Sequence, residues 1–169
     1  MAVIIAVTNQ KGGVGKTTTS INLAYCLHKA GKRVLLVDFD PQGNATSGLG
    51  FDKNELGVTT LEVIQQQVDL AQAVVTTRYK NLDLVPSTPQ LANAEVELAK
   101  AERRFVRLKQ ALEPVASYDY IIIDSPPSLS LLTVNSLIAA NYVLLPVQAE
   151  FYAMEGLGQL LDTMQLIRK

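Results

Sequence analysis

Few local sequences restrict a fold as strongly as the segment KGGVGKTTT, which runs from Lys11 to Thr19. An apolar run precedes this segment and a helical pattern follows it, so it is predicted to form a turn between a strand and a helix. Its spacing is that of a phosphate loop, G-x-x-x-x-G-K-[ST], except that Gln10 stands where the first glycine is usual. A second lysine, Lys11, directly precedes the glycines. A strand, a phosphate-binding turn and a helix in this order are typical of α/β proteins.

The residue types of this segment suit a bound nucleotide. Glycines allow the backbone to approach phosphate oxygens, and the N-terminal end of the following helix carries a partial positive charge. Lys16 is expected to reach the β- and γ-phosphates, and the hydroxyl of Thr17 is expected to bind magnesium. The predicted site for ATP or ADP consists of Lys11, Gly12, Gly13, Val14, Gly15, Lys16, Thr17 and Thr18. A glycine-rich turn without a ligand is the alternative, and the combination of all these features argues against it.

Three aspartates follow apolar runs and are candidates for magnesium and water chemistry. Asp38 and Asp40, in VLLVDFDPQGN, are two residues apart in an extended run and so project to the same side. One is expected to hold a magnesium-bound water and the other to position the attacking water. Turn formation before Pro41 is the alternative role for either residue. Asp124 ends the run YIIID, which has the form of a Walker B strand, whose carboxylate reaches magnesium directly or through water.

Short apolar runs alternate with longer helical patterns along the chain. The predicted strands are Val3–Thr8, Arg33–Phe39, Leu82–Pro86, Tyr118–Asp124 and Tyr142–Val147. Each is apolar on both faces in its middle, as expected of parallel strands covered by helices on both sides. Helices are predicted over Thr17–Ala30 and, from a regular apolar stripe, over Gln90–Leu112; Asp40–Val58 is predicted to form a loop. The pattern predicts a doubly wound, mainly parallel β-sheet flanked by helices, a three-layer α/β/α fold.

The composition is that of one globular domain. Of 169 residues, 48% are hydrophobic, and 15 basic residues balance 16 acidic ones, which argues against a strongly basic nucleic-acid module. The only cysteine, Cys26, has no partner for an internal disulfide and fits a reducing, cytoplasmic setting. We expect Cys26 to pack in the core. The longest apolar tract is interrupted by asparagines, so no membrane span is predicted.

The last residues have a helical pattern without a signal that ends a helix. From Tyr152 onward, apolar residues recur at helical spacing, and no glycine, asparagine or proline ends the run before Lys169. We predict a helix here that belongs to a longer protein; a chain that simply ends on a helix is the alternative. Residues 1–169 are then expected to form a single domain that lacks its C-terminal part.

Three motifs together resemble the ParA/Soj group of partitioning ATPases, which belongs to the deviant-Walker-A family that includes MinD and the nitrogenase iron protein. The motifs are KGGVGKTTT, VLLVDFDPQGNATSGLG and YDYIIIDSPPSL, and PVQAEFYAMEGLGQLL is also similar to Soj-type members. The resemblance covers essentially the whole chain. It implies a P-loop NTPase fold and a magnesium-dependent ATPase domain that forms a dimer with ATP at the interface.

The resemblance also implies roles for individual residues. Lys16 would bind the phosphates of its own subunit's ATP, and Lys11 would reach the nucleotide of the partner subunit. Gly12 would permit the two subunits to approach closely, and Asp40 would position the hydrolytic water. The predicted catalytic residues are therefore Lys11, Lys16 and Asp40. The predicted magnesium ligands are Thr17, Asp38 and Asp124.

The expected partners follow from the same resemblance. They are a second copy of the chain, a ParB-type protein that stimulates hydrolysis, and nonspecific DNA, with the basic DNA-binding residues expected beyond residue 169. The expected location is the cytoplasm, in association with the nucleoid, and the expected biology is segregation of chromosome or plasmid DNA.

Three alternatives remain open. A MinD-like ATPase that cycles on the membrane to regulate the division site would need a C-terminal amphipathic helix, and the stretches DPQGNATSGLG and EFYAMEGL favour Soj instead. A redox ATPase like the nitrogenase iron protein would need paired cysteines. The third alternative is a chain that retains the fold with little or no catalysis, either a noncatalytic scaffold or a nucleotide-binding fragment with little activity.

Overall fold

The computed structural model describes residues 2–149 together with residues 158 and 165. Its strands are β1 (Val3–Val7), β2 (Val34–Asp38), β3 (Val75–Thr76), β4 (Leu82–Val85), β5 (Tyr120–Asp124) and β6 (Tyr142–Leu144). They form one sheet in the spatial order β3-β4-β2-β5-β1-β6. Neighbouring strands are parallel except for the antiparallel pair β3 and β4.

Six α-helices are present in the described part of the chain. They are α1 (Lys16–Lys29), α2 (Asn44–Gly48), α3 (Thr60–Ile64), α4 (Leu91–Leu98), α5 (Arg107–Leu112) and α6 (Leu131–Ala139). A short 3-10 helix spans Leu70–Ala73. None of the described helices is long and apolar enough to cross a membrane.

Residues of the central strands alternate between two hydrophobic clusters, one on each face of the sheet. Leu35 and Val37 of β2 pack in a cluster with α3, α4, α5 and α6, whereas Val34 and Leu36 pack in a second cluster with α1 and α2. Every residue of β2 is buried. A strand covered on both faces has no polar side, which explains the uninterrupted apolar runs in the sequence. The doubly wound α/β/α prediction and the five predicted strands are confirmed.

The first helix presents small residues to the sheet. The buried residues of α1 are Lys16, Ser20 and Ala24, which are spaced four apart and therefore share one face. Cys26 is two positions beyond Ala24, lies on a different side of the helix, and is exposed. The expectation that Cys26 packs in the core was therefore wrong.

The single helix predicted over Gln90–Leu112 is also wrong, because the chain forms α4 and α5 with turns between them. Asn135 of α6 is fully buried beside this break. Its side-chain amide donates to the Arg104 carbonyl at 2.7 Å, and its Oδ1 accepts from the Leu108 N–H at 3.2 Å. These bonds satisfy backbone groups that a continuous helix would pair internally. Leu98 and Leu108 both remain in the core, so the apolar stripe conceals the break.

The remaining predictions concern loops and the chain end. The predicted loop over Asp40–Val58 contains α2, in which Ala45 and Thr46 are buried, so the prediction was wrong at that point. A Cβ on Gly48 of this helix would lie 2.6 Å from Ile21 Cδ1, so α2 packs closely against the end of this α1 side chain. The two-residue strand β3 was missed because it is too short for a pattern. The helix predicted from Tyr152 lies outside the described residues.

Candidate functional site

The candidate site lies where three neighbouring strands end. In the sheet register, Val7 of β1 and Asp38 of β2 both stand opposite Asp124 of β5. Parallel strands place their carboxyl ends at one edge, and ligand sites of open α/β sheets lie at that edge. The phosphate loop leaves β1 just after Val7. The fold therefore brings the glycine-rich segment and the aspartates together, as their positions at strand ends predicted.

The phosphate loop has open space beside its glycines. Gly13 and Gly15 have φ angles of +75° and +88°, a left-handed conformation that favours glycine. No atom of the described residues, apart from the adjoining backbone, would lie within 4 Å of a Cβ added at Gly12, Gly13 or Gly15. Val14 is buried and anchors the loop, and α1 begins at Lys16. A left-handed glycine loop that runs into a helix N-terminus is a favourable environment for an anion.

Lys16 is buried in the loop although its side chain is charged. Its exposed fraction is 7%, and its Nζ donates a hydrogen bond to the Lys11 carbonyl at 3.0 Å. Burial lowers the pKa of Lys16, whereas the nearby carboxylates of Asp124 and Asp40 raise it. A buried ammonium group is stabilised by an anionic partner, so Lys16 is suited to bind phosphate oxygens.

Asp124 offers a buried carboxylate oxygen. Its Oδ1 accepts a hydrogen bond from Ser20 Oγ at 2.8 Å, while its Oδ2 is buried and has no hydrogen-bond partner among the described residues. Burial raises the pKa of Asp124 to about 6, although the nearby hydroxyls of Thr17 and Ser20 act in the opposite direction. An unpaired buried carboxylate oxygen is costly, and a cation or its water would satisfy it. The carboxylate of Asp124 and the hydroxyl of Thr17 therefore fit a magnesium ion.

Asp38 uses most of its hydrogen-bonding capacity within the protein. It is fully buried, and its Oδ2 accepts from both the N–H and the hydroxyl of Thr46 at 2.7 Å. Its Oδ1 accepts a longer bond, 3.3 Å, from the Asp40 N–H. Burial raises the pKa of Asp38 to about 7. Oδ1 can therefore accept a further hydrogen bond. This makes Asp38 better suited to hold a metal-bound water than to bind the metal directly.

Asp40 is 5% exposed and forms a turn. Its Oδ1 accepts a hydrogen bond from the Gln42 N–H at 2.9 Å, so the turn-forming role raised as an alternative is present. Asp40 also lies close enough to Lys16 and Asp124 to raise the pKa of both. A single turn bond leaves acceptor capacity on the carboxylate, so the turn is compatible with a role in orienting water.

The remaining predicted site residues lie on the same loop. Lys11 and Thr18 are exposed, and Thr17 is half-buried in the first turn of α1. The Lys11 N–H donates to Asn9 Oδ1 at 3.0 Å, which fixes the backbone where the glycines begin.

Comparison with known proteins identifies the family. The profile of the AAA_31 family, described as an AAA domain, matches residues 2–169. The sporulation initiation inhibitor protein Soj of Bacillus subtilis is 57% identical over 170 residues, which cover 100% of this chain and 67% of Soj. Chromosome partitioning protein ParA of Myxococcus xanthus is 52% identical over 167 residues, which cover 98% of this chain and 59% of that protein. The chain belongs to the ParA/Soj group of the AAA_31 family.

Solved structures support the same assignment for this ParA/Soj-group chain. A structure described as cobyrinic acid a,c-diamide synthase from Mycobacterium smegmatis, with bound ATP analog and magnesium, has a TM-score of 0.95 and 43% identity, and the match covers 99% of this chain and 67% of that chain. A putative plasmid partition protein from Borrelia burgdorferi bound to AMPPNP has a TM-score of 0.89 and 33% identity, with 100% and 71% covered. The P-loop NTPase fold is thereby confirmed.

The sequence analysis did not predict several polar residues of the site. Ser20 binds Asp124 and lies one helical turn after Lys16, so the spacing of four could have revealed it. The Asn9 amide donates to the Pro146 carbonyl at 2.7 Å, and Gln148 Nε2 donates to the Gly13 carbonyl at 3.3 Å. No local pattern pairs residues so far apart in the chain.

The structure also has cavities away from the phosphate loop. One of about 560 Å³ is bounded by residues in 47–62 and 88–90. The charged residues that line it, Asp52, Lys53 and Glu62, are not buried. We assign the site to the phosphate loop because buried charges meet there, and buried charges of both signs are retained only where they have partners.

The raised pKa of Asp124 predicts a pH dependence of stability. The ordinary pKa is 3.8 and the folded value is about 6, so the folded state binds the proton more tightly in that interval. The free energy of unfolding therefore falls as pH rises from about 4 to about 6, by at most about 3 kcal/mol from this group. Asp124→Asn is expected to flatten this fall in urea unfolding curves recorded without nucleotide or metal.

A second carboxylate provides the control for that measurement. Asp119 is exposed, and hydrogen bonds from Arg33 lower its pKa, so its titration falls below the interval. Asp119→Asn is expected to leave the fall between pH 4 and pH 6 unchanged. A residual slope in Asp124→Asn is expected from Asp38, whose pKa is raised as well. Identical slopes in wild type and Asp124→Asn would contradict the raised pKa.

Proposed function

We propose that this chain is the ATPase part of a ParA/Soj-type partitioning protein. It hydrolyses ATP with magnesium and switches between a monomer and an ATP-bound sandwich dimer, which drives the segregation of chromosome or plasmid DNA. The observation that carries the proposal is the meeting of three features at one strand edge. These are buried Lys16, the Oδ2 of Asp124, which has no hydrogen-bond partner in the described part of the chain, and the open space beside the glycines of the phosphate loop.

Nucleotide binding in this proposal uses the loop from Lys11 to Thr18. The backbone around Gly12, Gly13 and Gly15 takes the phosphates of ATP or ADP, and Lys16 exchanges the Lys11 carbonyl for phosphate oxygens. Thr17 and Asp124 would hold magnesium, and Asp38 Oδ1 would accept a hydrogen bond from its water. Bound magnesium neutralises negative charge on the β- and γ-phosphates.

Asp40 supplies the hydrolytic step in this proposal. Its carboxylate lies near both Lys16 and Asp124, so it is close to the position of a γ-phosphate held by Lys16. An acceptor at that place orients the attacking water and polarises its O–H bond. The turn bond from the Gln42 N–H limits the directions that the Asp40 carboxylate can take.

Lys11 provides the switch. Lys11 is exposed, whereas Lys16 of the same loop is buried. We infer that Lys11 reaches the nucleotide of a second subunit, where a positive charge stabilises the phosphates only after the dimer has formed. Two lysines in one loop then serve two nucleotides, and dimerisation becomes dependent on ATP.

Three partners are proposed for this protein. They are a second copy of this chain, a ParB-type protein that stimulates hydrolysis, and DNA bound without sequence preference. The proposal places the protein in the cytoplasm, on the nucleoid. It is supported by the names of two relatives, Soj of Bacillus subtilis and the chromosome partitioning protein ParA of Myxococcus xanthus.

ATP-dependent amide synthesis is a second candidate function. A structure with a TM-score of 0.95 is described as a cobyrinic acid a,c-diamide synthase, and such chemistry also needs bound ATP and magnesium. Partitioning is favoured because identity to Soj is 57%, against 43% for that structure. The two candidates differ in the co-reactant, since amide synthesis consumes a nitrogen donor and a carboxylate together with ATP.

The deciding experiment is phosphate release by the full-length protein. Turnover is expected to require magnesium, to proceed without a nitrogen donor, and to rise when DNA and the ParB-type partner are added together. Chelation of magnesium is expected to abolish it. Turnover that depends on glutamine or ammonia, or that DNA and partner leave unchanged, would reject the partitioning proposal.

A further inference from the structure

One buried threonine holds the segment that carries Asp40. We call residues 39–48 the Asp40 loop; it leaves the end of β2 and includes α2. Thr46 lies in this loop and is fully buried. Its hydroxyl donates to Asp38 Oδ2 at 2.7 Å and accepts a hydrogen bond from the Ser87 N–H at 2.9 Å. A single hydroxyl group therefore connects the end of β2 with the turn that follows β4.

The same carboxylate reaches Asp40. Asp38 Oδ2 is held by two short bonds from Thr46, and Oδ1 accepts from the Asp40 N–H at 3.3 Å. A carboxylate that is bonded through both oxygens has a defined orientation, so the Thr46 hydroxyl determines how Asp38 presents Oδ1 to Asp40. The loop is also packed closely on the Ser87 turn, because a Cβ on Gly43 would lie 2.8 Å from the Ser87 carbonyl oxygen.

We propose that Thr46 is a positioning residue for hydrolysis: its hydroxyl, bonded to Asp38 and Ser87, holds Asp40 where it can orient the attacking water. This inference rests on the proposed function, because it takes Asp40 as the residue that acts on the water. Thr46 acts through Asp38 and Asp40 and not on the nucleotide. A displacement of about 1 Å at a group that orients a reactant can lower a rate by about 100-fold.

The first test replaces the hydroxyl by a methyl group. Thr46→Val preserves the size of the side chain and the backbone N–H bond to Asp38, and it removes only the hydroxyl bonds. In the full-length protein, kcat for ATP is expected to fall by about 10-fold to 100-fold, while the Kd for ATP changes by less than about threefold. Thr46→Ser restores the hydroxyl and is expected to keep kcat within about threefold of wild type.

Thr60 offers a matched control. It is 2% exposed, and its buried hydroxyl has no hydrogen-bond partner among the described residues. Thr60→Val therefore makes the same chemical change at a buried site without removing a bond, and it is expected to keep kcat and Kd near the wild-type values. A Thr46→Val protein with normal kcat, or one in which ATP affinity and Tm fall while kcat is kept, would overturn the inference.

Amide hydrogen exchange provides a readout that does not depend on activity. In the 169-residue chain, Thr46→Val is expected to speed exchange at the Asp40 and Ser87 amides, and Thr60→Val is expected to leave both unchanged. Unchanged exchange at both amides in Thr46→Val would overturn the inference.

Turnover by Asp40→Ala distinguishes the role of Thr46 from the role of Asp40. If Asp40→Ala loses turnover and Thr46→Val does not, only the role of Thr46 fails; normal turnover by Asp40→Ala overturns both.

Discussion

Lys11→Ala is expected to bind ATP within about threefold of the wild-type affinity and to form no ATP-dependent dimer. The backbone of Lys11 supports the phosphate loop, because its N–H donates to Asn9 Oδ1 and its carbonyl accepts from Lys16 Nζ, both at 3.0 Å. Alanine preserves these contacts, so the phosphate loop and its own nucleotide site are retained. Turnover is expected to fall by about 1000-fold, as for other cationic side chains supplied in trans.

The measurement combines light scattering after size exclusion with nucleotide binding, on the full-length protein with and without ATP. Lys29→Ala is the matched control, because Lys29 is an exposed lysine at the opposite end of α1. This control is expected to dimerise and to hydrolyse ATP as wild type does. Equal ATP turnover by wild type and Lys11→Ala would contradict the proposed contact of Lys11 with the partner's nucleotide. Loss of ATP binding by Lys11→Ala would place the lysine in its own subunit's site.

Asp40→Ala is expected to bind ATP, to dimerise and to remain in the dimeric state. The substitution removes the carboxylate that orients water but leaves Lys16, Thr17 and Asp124 in place, so binding is separated from hydrolysis. Turnover is expected to fall by about 100-fold to 10,000-fold, the range for removal of a positioned general base. The dimer with ATP is expected to persist for hours in size exclusion, whereas wild type returns to the monomer as ATP is consumed.

Asp40→Ala removes both a turn-forming hydrogen bond and the proposed catalytic carboxylate, and the two effects must be distinguished. Asp52 provides this control, because its Oδ1 accepts from the Asn54 N–H at 2.9 Å in the same arrangement as Asp40 and Gln42. Asp52 is exposed and follows no strand of the described sheet. Asp52→Ala is expected to hydrolyse ATP normally. A similar loss of turnover in both variants would assign the effect to the turn and reject the role of Asp40 in catalysis.

Much of the site could be predicted because its chemistry is local in the sequence. The phosphate loop occupies consecutive residues, Asp124 ends an apolar run, and Asp38 and Asp40 follow another. Parallel strands place such ends side by side, so the register of Asp38 with Asp124 follows once the strands are recognised. The bonds that orient these groups could not be predicted in this way. Thr46 and Ser87, which are 41 positions apart, are joined only by the folded chain.

The sequence by itself determined the order of strands and helices, the glycines of the phosphate loop, and the acidic residues at its edge, because backbone conformation and hydrophobic periodicity depend on neighbouring residues. Tertiary structure decided where the stripe over Gln90–Leu112 breaks, since buried Asn135 bonds the Arg104 carbonyl and the Leu108 N–H where α5 begins. It also decided that Asp38 accepts a hydrogen bond from the Thr46 hydroxyl, while one oxygen of Asp124 has no partner among residues 2–149. Burial makes each polar atom require a partner, and the identity of that partner depends on residues distant in the chain.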